Sequence, residues 1–166
     1  WHAGISSWKK YKSLNKNSIG IEIINPGHDH GYESFTNKQV KSLIKLSKYL
    51  IKKYNLKNKN ILGHSDIAPD RKKDPGEKFP WKLLSKKKIG IWHSLKSSKL
   101  VKIRKKKTTP KEKAYFLRLL KKIGYSVKNK SRSIKAFQRH FRPEIIDGVV
   151  DLECLKIIVN LSPKLK

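Results

Sequence analysis

A change in apolar periodicity constrains the fold of this chain most strongly. Over residues 17–25, isoleucines alternate with other residues, which predicts a strand buried on at least one side. A capping-box pair, Thr36 and Gln39, then precedes apolar residues that recur at helical spacing roughly to Tyr54. Residues 60–63 predict a second short strand. A strand, a covering helix and another strand indicate an α/β domain.

Glu22 is the unusual residue of the first predicted strand. A carboxylate in the middle of an apolar strand is costly to bury unless it is paired or functional. A partly desolvated glutamate suits general acid or base chemistry. The structural alternative is an ion pair with one of the many lysines, and the sequence leaves both interpretations open.

A loop rich in proline and glycine follows the second predicted strand, from Gly63 to Trp81. It contains His64 and Asp74, a nitrogen and an oxygen donor of the kind that zinc accepts, and Lys72, a cation suited to steady an oxyanion. Rigid backbone in such a loop can direct polar side chains at one point. Hydrogen-bonded structure is the alternative interpretation of the same residues.

The whole loop, with Gly-His-Ser-Asp-Ile-Ala-Pro at its start and Phe-Pro-Trp at its end, resembles the zinc-dependent N-acetylmuramoyl-L-alanine amidases of type 2, which include the anhydromuramyl amidases. The resemblance implies a mixed central sheet flanked by helices, with the site at one edge. It also implies that His64 and Asp74 bind Zn²⁺ and that Lys72 stabilises the oxyanion.

Two further segments resemble the same family. Ser-Ile-Gly-Ile-Glu matches the segment that carries the catalytic glutamate, which implies that Glu22 is catalytic. Trp-His-Ala-Gly at the start of the chain matches a segment beside the active site, which implies a substrate contact for His2. The implied reaction is hydrolysis of the amide between N-acetylmuramic acid and L-alanine of the stem peptide, with Glu22 relaying the water proton to the leaving amine.

A catalytic zinc needs three protein ligands, and the resemblance supplies two. In the family the other ligand is a histidine upstream of the Trp-His-Ala-Gly segment, so we expect it upstream of Trp1. The numbered chain contains no methionine, and no signal peptide can be identified in it. A fragment of an active enzyme and an inactive remnant are both open interpretations, with His2, His28 or His30 as substitute ligands.

Composition limits the other possibilities. The formal charge of +29 favours anionic partners, although lysines scattered through the chain also fit a solvated basic surface. The single cysteine, Cys154, excludes an intrachain disulfide and is expected in the core. No apolar run approaches the length of a transmembrane helix.

The remaining chain divides by composition. We expect an amidase domain over residues 1–93, a basic linker over 94–112 and a small three-helix module over 113–166. Ala-Phe-Gln before Asp-Gly in the module resembles a small peptidoglycan-binding domain found on wall hydrolases, which makes Gln138, Arg139 and Arg142 candidate glycan contacts.

These observations predict a monomeric peptidoglycan amidase whose partners are peptidoglycan or muropeptides. The expected location is the cell envelope, periplasmic or secreted, with a cytoplasmic recycling role as an alternative. A catalytically inactive wall-binding protein is the second hypothesis. A nucleic-acid binder, suggested by charge alone, is the third, and the sequence shows no nucleic-acid motif beyond its lysines.

Overall fold

Within residues 1–165, which the computed structural model describes, seven helices and one two-stranded sheet form a mixed α/β fold. Strands β1 (Ser7–Trp8) and β2 (Tyr11–Lys12) pair antiparallel, with Ser7 opposite Lys12. The helices are α1 (Asn37–Tyr54), α2 (His64–Ile67), α3 (Trp81–Lys86), α4 (Ser97–Val101), α5 (Pro110–Ile123), α6 (Lys130–Phe141) and α7 (Leu152–Leu161). None of the helices in this range has the length and apolar character needed to cross a membrane.

Helix α1 confirms the helix predicted from periodicity. Its capping box is formed as expected, because Thr36 Oγ1 accepts a hydrogen bond from the Gln39 backbone N–H and Gln39 Oε1 accepts one from the Thr36 N–H. Asn55 caps the end of the helix in a left-handed conformation, with a φ of 49°. Apolar residues of α1 pack against a small core of three buried residues, Trp81, Leu84 and Ile89.

The prediction of a buried strand over residues 17–25 is wrong. This segment is extended but pairs with no strand among the described residues, and the side chain of Ile24 is 92% exposed. Glu22 is exposed as well, so it is not the desolvated carboxylate that a buried strand would have made it. An alternating pattern predicts which face a strand would bury, but a strand also needs a neighbour to bond with.

The second predicted strand, over residues 60–63, is also absent. A single 3-10 turn, Asn58–Asn60, leads into extended residues, and His64 opens helix α2 instead of ending a strand. The central sheet that the resemblance implies is therefore reduced, within the described range, to the β1–β2 hairpin.

The main core joins the two ends of the chain. Buried residues of α5, α6 and α7 form one cluster with Ala3, Trp8 and Leu14 from the amino-terminal segment. Trp8 packs edge-on against Tyr125, with ring centroids 5.1 Å apart. Cys154 is fully buried in this cluster, as predicted. Helices α5 to α7 occupy the three segments whose apolar stripes predicted helices, while the proposed division into domains stays a prediction.

The segment over residues 94–112, which has the composition of a linker, is folded onto the start of α7. Leu100 is buried in the main core. The Arg104 guanidinium donates two hydrogen bonds, of 2.7 and 2.8 Å, to the buried Glu153 carboxylate. The Lys105 backbone N–H donates to Asp151 Oδ2 at 2.9 Å. Lysine-rich composition predicts solvation of most side chains in such a segment, but it does not exclude a few anchoring contacts.

Candidate functional site

The loop that begins at Gly63 brings two predicted metal ligands into contact. His64 Nδ1 lies 2.9 Å from Asp74 Oδ2, and the Ser65 backbone N–H donates to the Asp74 carbonyl at 2.8 Å. With its proton on Nδ1, His64 donates to Asp74 and can accept from Arg71 Nη2, which lies 3.3 Å from Nε2. The two side chains that sequence reasoning placed ten residues apart in one loop therefore meet through their donor atoms.

Arg71 ties this loop to the start of the chain. Its guanidinium donates to the backbone carbonyls of Ala3 and Ile5. Ala3 is buried in the main core, so its carbonyl holds the Arg71 guanidinium in place. The guanidinium in turn lies beside Nε2 of His64. Sequence reasoning did not assign a role to Arg71.

The electrostatic surroundings of Asp74 favour its ionised form. Partial burial by itself raises the pKa of the Asp74 carboxyl, but the hydrogen bond and charge of His64, together with the charge of Lys72, hold that pKa below its ordinary value. Lys72 thus lies close enough to influence the carboxylate. An ionised carboxylate beside an imidazole nitrogen is a donor pair that a divalent metal accepts.

The geometry fits two ligands of a zinc ion. A metal bonded to both atoms at about 2.0–2.1 Å in tetrahedral geometry needs them roughly 3.3 Å apart, so the observed 2.9 Å requires only a small opening. Within residues 1–165 no group of three or more histidine, cysteine, aspartate or glutamate side chains is arranged to hold a metal. A catalytic zinc would find two of its three protein ligands, His64 and Asp74, among the described residues.

The histidines considered as substitute ligands have other positions. His28 Nε2 lies 3.0 Å from Glu77 Oε2, and the His28 ring stacks on Tyr32. His30 is exposed in the same turn-rich loop. Neither joins His64 and Asp74 in a cluster within the described part of the chain.

His2 lies against the segment that carries Glu22. Its Nε2 is 2.8 Å from Ser18 Oγ, and its backbone N–H donates to Asn15 Oδ1. A Cβ on Gly20 would come within 2.6 Å of the His2 Cβ, so a glycine is required for this close approach. The structure thus brings the segment of His2 against the segment that carries Glu22. Glu22 itself lies two residues after Gly20 and is exposed.

Asp66 holds the loop on the carboxy-terminal helices, a relationship that sequence reasoning missed. Its carboxylate is 0% exposed and accepts three hydrogen bonds, from the Gly63 N–H at 2.7 Å, the Tyr125 hydroxyl at 2.6 Å and His140 Nδ1 at 2.6 Å. Burial and the charge of Asp66 raise the pKa of Tyr125 well above its ordinary value. The contact with Gly63 resembles a capping box, which the local sequence can predict. Tyr125 and His140 lie 59 and 74 residues away, and no local sequence pattern predicts their contacts.

The His140 ring is enclosed between two aromatic side chains. Trp81 stacks on one face and Phe141 on the other, each with ring centroids 3.9 Å from those of His140. His140 Nε2 is buried without a hydrogen-bond partner in the described structure. Trp81 closes the motif loop and His140 belongs to α6, so the stack joins the same two parts of the chain as Asp66 does.

Two of the candidate glycan contacts, Gln138 and Arg142, are buried, so their prediction is wrong. Arg139 is partly buried, with its Nε 3.9 Å from Glu77 Oε2, and stays a candidate. Gln138 Nε2 donates to Asp147 Oδ1 and to the Val149 carbonyl, while its Oε1 accepts from the Gly148 N–H. The Gln and Asp-Gly positions of the motif therefore serve to hold the loop before α7. A motif that closes a loop inside the protein cannot present the same side chains to a polymer.

Comparison with known proteins agrees with this fold. A family model described as N-acetylmuramoyl-L-alanine amidase matches residues 1–77. The amidase AmiD of Escherichia coli K12 is 39% identical over 175 residues, and the match covers 99% of this chain and 63% of AmiD. The anhydromuramyl amidase AmpD of Enterobacter cloacae is 43% identical over 81 residues, which cover 49% of this chain and 41% of AmpD.

Solved structures extend the likeness to the whole chain. The structure of E. coli AmiD in complex with anhydro-N-acetylmuramic acid-L-Ala-D-gamma-Glu-L-Lys has a TM-score of 0.84 and 38% identity, and the match covers 99% of this chain and 68% of that one. AmpDh3 of Pseudomonas aeruginosa gives a TM-score of 0.82 at 34% identity, with 99% and 68% covered.

Fold and loop together match those of N-acetylmuramoyl-L-alanine amidases. The chain belongs to the N-acetylmuramoyl-L-alanine amidase family. It spans 63% of the length of the curated AmiD sequence.

Proposed function

We propose that this protein hydrolyses the amide between N-acetylmuramic acid and the L-alanine of the stem peptide, in peptidoglycan or in muropeptides. The contact between His64 and Asp74, in a loop held by the buried Asp66, is the observation that carries the proposal. Membership of the amidase family and the muropeptide ligand named in the AmiD complex support the same substrate class.

The proposal includes a catalytic Zn²⁺ for which His64 Nδ1 and Asp74 Oδ2 are two ligands. When bound there, zinc would polarise the scissile carbonyl and acidify a water molecule. The 2.9 Å contact between the two atoms favours this use of the pair, because it brings a nitrogen and an oxygen donor of the kind zinc accepts to one point. The described residues do not supply the third ligand.

The other predicted residues receive roles that fit their positions. Glu22, exposed on its extended segment, would take the proton of the attacking water and pass it to the leaving amine. Lys72, whose charge acts on Asp74, would stabilise the oxyanion of the tetrahedral intermediate. His2, which lies against the segment that precedes Glu22, would contact the substrate.

The carboxy-terminal helices are proposed as the counterpart of a wall-binding domain, although two of the residues first expected to contact glycan are buried. The cell envelope is the proposed location. The helices also have a structural role, since Tyr125 and His140 hold the loop that carries His64. Any wall contact on this part of the chain must use exposed residues.

The test is a zinc determination followed by a muropeptide release assay on the same sample of residues 1–166. We expect residues 1–166, with two of the three ligands, to hold zinc weakly, and a longer chain that also carries the histidine expected upstream of Trp1 to hold one zinc and show chelator-sensitive release of stem peptide. His64→Ala should abolish both, whereas His30→Ala, in an exposed loop, should change neither. Zinc-loaded protein that binds the wall but releases no stem peptide would overturn the proposal in favour of a wall-binding protein.

A further inference from the structure

A cleft of about 660 Å³ lies between the β1–β2 hairpin and the end of helix α1. We name it the lysine–tyrosine cleft. The residues of its lining that matter here are Lys9, Lys10, Tyr11, Tyr54, Lys57 and Lys59. None of the predicted catalytic, metal-binding or substrate-binding residues lines it, so the cleft is separate from the candidate active site.

The charge of the cleft has one sign. No aspartate or glutamate is among its lining residues. Helix α1 contains no acidic residue either, and its last turn, which reaches the cleft, carries Lys52 and Lys53. Partial burial, with the charge of Lys59 as a second cause, lowers the pKa of Lys9. Crowded ammonium groups of this kind produce a positive potential that favours an anionic ligand.

Tyrosine rings are exposed along the same edge. Tyr11 is 49% exposed, Tyr54 51% and Tyr49 57%. Lys10 Nζ lies 5.6 Å from the centroid of the Tyr11 ring, and Lys53 Nζ lies 5.6 Å from that of Tyr49 and 5.4 Å from that of Tyr54. Tyr49 and Lys53 lie on α1 beside the lining, whereas Tyr11 and Tyr54 belong to it. Lysines over aromatic faces form cation–π contacts, and the hydroxyl end of each ring can also hydrogen-bond a ligand.

A ligand that matches the cleft carries repeated negative charge and units with flat apolar faces. A peptidoglycan strand meets both requirements, because its sugar rings present apolar faces and its stem peptides carry carboxylates. A γ-linked D-Glu, as in the ligand of the AmiD complex, leaves its α-carboxylate free. Single-stranded nucleic acid has comparable features, but membership of the amidase family favours the wall polymer.

We propose that the lysine–tyrosine cleft is a second binding site, in which the peptidoglycan strand lies with its carboxylates on the lysines and its sugar rings on the tyrosines. The choice of polymer rests on the proposed function. Such a site would hold the protein on the strand while the amide being cleaved occupies the active site, and it would increase the effective concentration of neighbouring substrate.

Charge reversal tests the lysines. Soluble peptidoglycan strands are titrated into the chain of residues 1–166 at low and high salt. We expect Lys10→Glu combined with Lys57→Glu, both in the lining of the cleft, to weaken binding about tenfold at low salt and much less at high salt. The matched control combines Lys41→Glu with Lys45→Glu, exposed positions roughly 14–20 Å along α1 from Tyr54, and should weaken binding less than about twofold.

Ring removal tests the tyrosines. Tyr11→Ala combined with Tyr54→Ala should weaken binding of the strands and also of a neutral chitin oligosaccharide, which has the sugar rings without the carboxylates. Tyr115→Ala is the control, because Tyr115 is an exposed tyrosine on α5 with a similar cation–π partner, Arg118. Thermal melting of each variant checks that the fold is intact.

Several outcomes would overturn the inference. Equal weakening by the two charge reversals would mean that total charge, not the cleft, attracts the polymer. Tighter cleft-dependent binding of a single-stranded DNA oligonucleotide than of the strands would identify nucleic acid as the partner. The assay needs no catalysis, so cleft-dependent strand binding without stem-peptide release by the longer chain would contradict the proposed function alone. Release of stem peptide with strand binding unaffected by the cleft variants would contradict this inference alone.

Discussion

Asp66 Oδ2 accepts a 2.6 Å hydrogen bond from His140 Nδ1, although 74 residues separate the two in the chain. Both side chains are buried, and they connect the loop of the predicted metal ligands to helix α6. His64 lies two residues before Asp66 in the chain. The contact of Asp66 with the carboxy-terminal helices therefore helps to position His64, the candidate metal ligand. The stretch matched by the family model ends at residue 77, before either α5 or α6 begins.

Tyr125→Phe should lower the free energy of unfolding. The change removes one of the three hydrogen bonds to the buried Asp66 carboxylate and keeps the aromatic ring. Losing that hydrogen bond should cost about 1.5–3 kcal/mol. Urea denaturation followed by circular dichroism measures the loss. Tyr115→Phe, an exposed control, should stay within about 0.5 kcal/mol of the unchanged protein.

His140→Leu should be more damaging than His140→Asn. Leucine removes the buried His140 donor from the Asp66 carboxylate, which keeps only Tyr125 and the Gly63 N–H, at a cost on the order of 3 kcal/mol, whereas an asparagine amide can still donate near the position of Nδ1. Denaturation of both variants measures the stability. The nitrogen chemical shifts of the His64 ring should move in the leucine variant and return toward their original values in the asparagine variant. Equal shifts in both would show that the hydrogen bond does not position His64.

Glu153→Gln should loosen the segment over residues 94–112. The change removes the negative charge that accepts two hydrogen bonds from the Arg104 guanidinium. Because Glu153 is buried, Arg104 then loses a strong ion-pair partner. Trypsin should then cleave faster within the basic run from Arg104 to Lys107. Glu144→Gln is a suitable control, because Glu144 is exposed and its nearest contact with Arg104 is 3.6 Å. Unchanged cleavage in Glu153→Gln would show that other contacts hold the segment.

The loop before α7 should become less stable in acid through Asp147. Burial by itself raises the pKa of this carboxyl, but hydrogen bonds from the Val149 N–H and Gln138 outweigh it and leave the pKa below its ordinary value. Because the pKa of Asp147 is lower in the folded than in the unfolded chain, its stabilisation is fully present at pH values above the unfolded pKa. The stabilisation is lost as the pH falls through the folded pKa. We expect the loss between about pH 5 and pH 2.

Asp147→Asn is the variant that tests this expectation. It should be less stable than the unchanged protein at neutral pH, and the difference should shrink as the pH falls through the acid range. Urea denaturation at several pH values measures it. A difference that stays constant with pH would mean that Asp147 does not titrate differently in the folded and unfolded chain.

Local signals predicted the local structure. The capping box of Thr36 and Gln39, the stripe of α1 and the burial of Cys154 depend on residues a few positions apart, and the structure confirms them. The contact between His64 and Asp74 also lies within one loop. The exposed position of Glu22 was mispredicted, because the burial of an alternating segment depends on neighbours that its own sequence does not describe.

The sequence by itself determined the helices and the loop in which the candidate ligands meet, because periodicity, caps and turn residues act over short distances. Only the tertiary structure decided which parts of the chain hold that loop in place. Asp66, Tyr125 and His140 carry no shared local pattern, and the free energy of their buried hydrogen bonds exists only after folding has removed water from around all three.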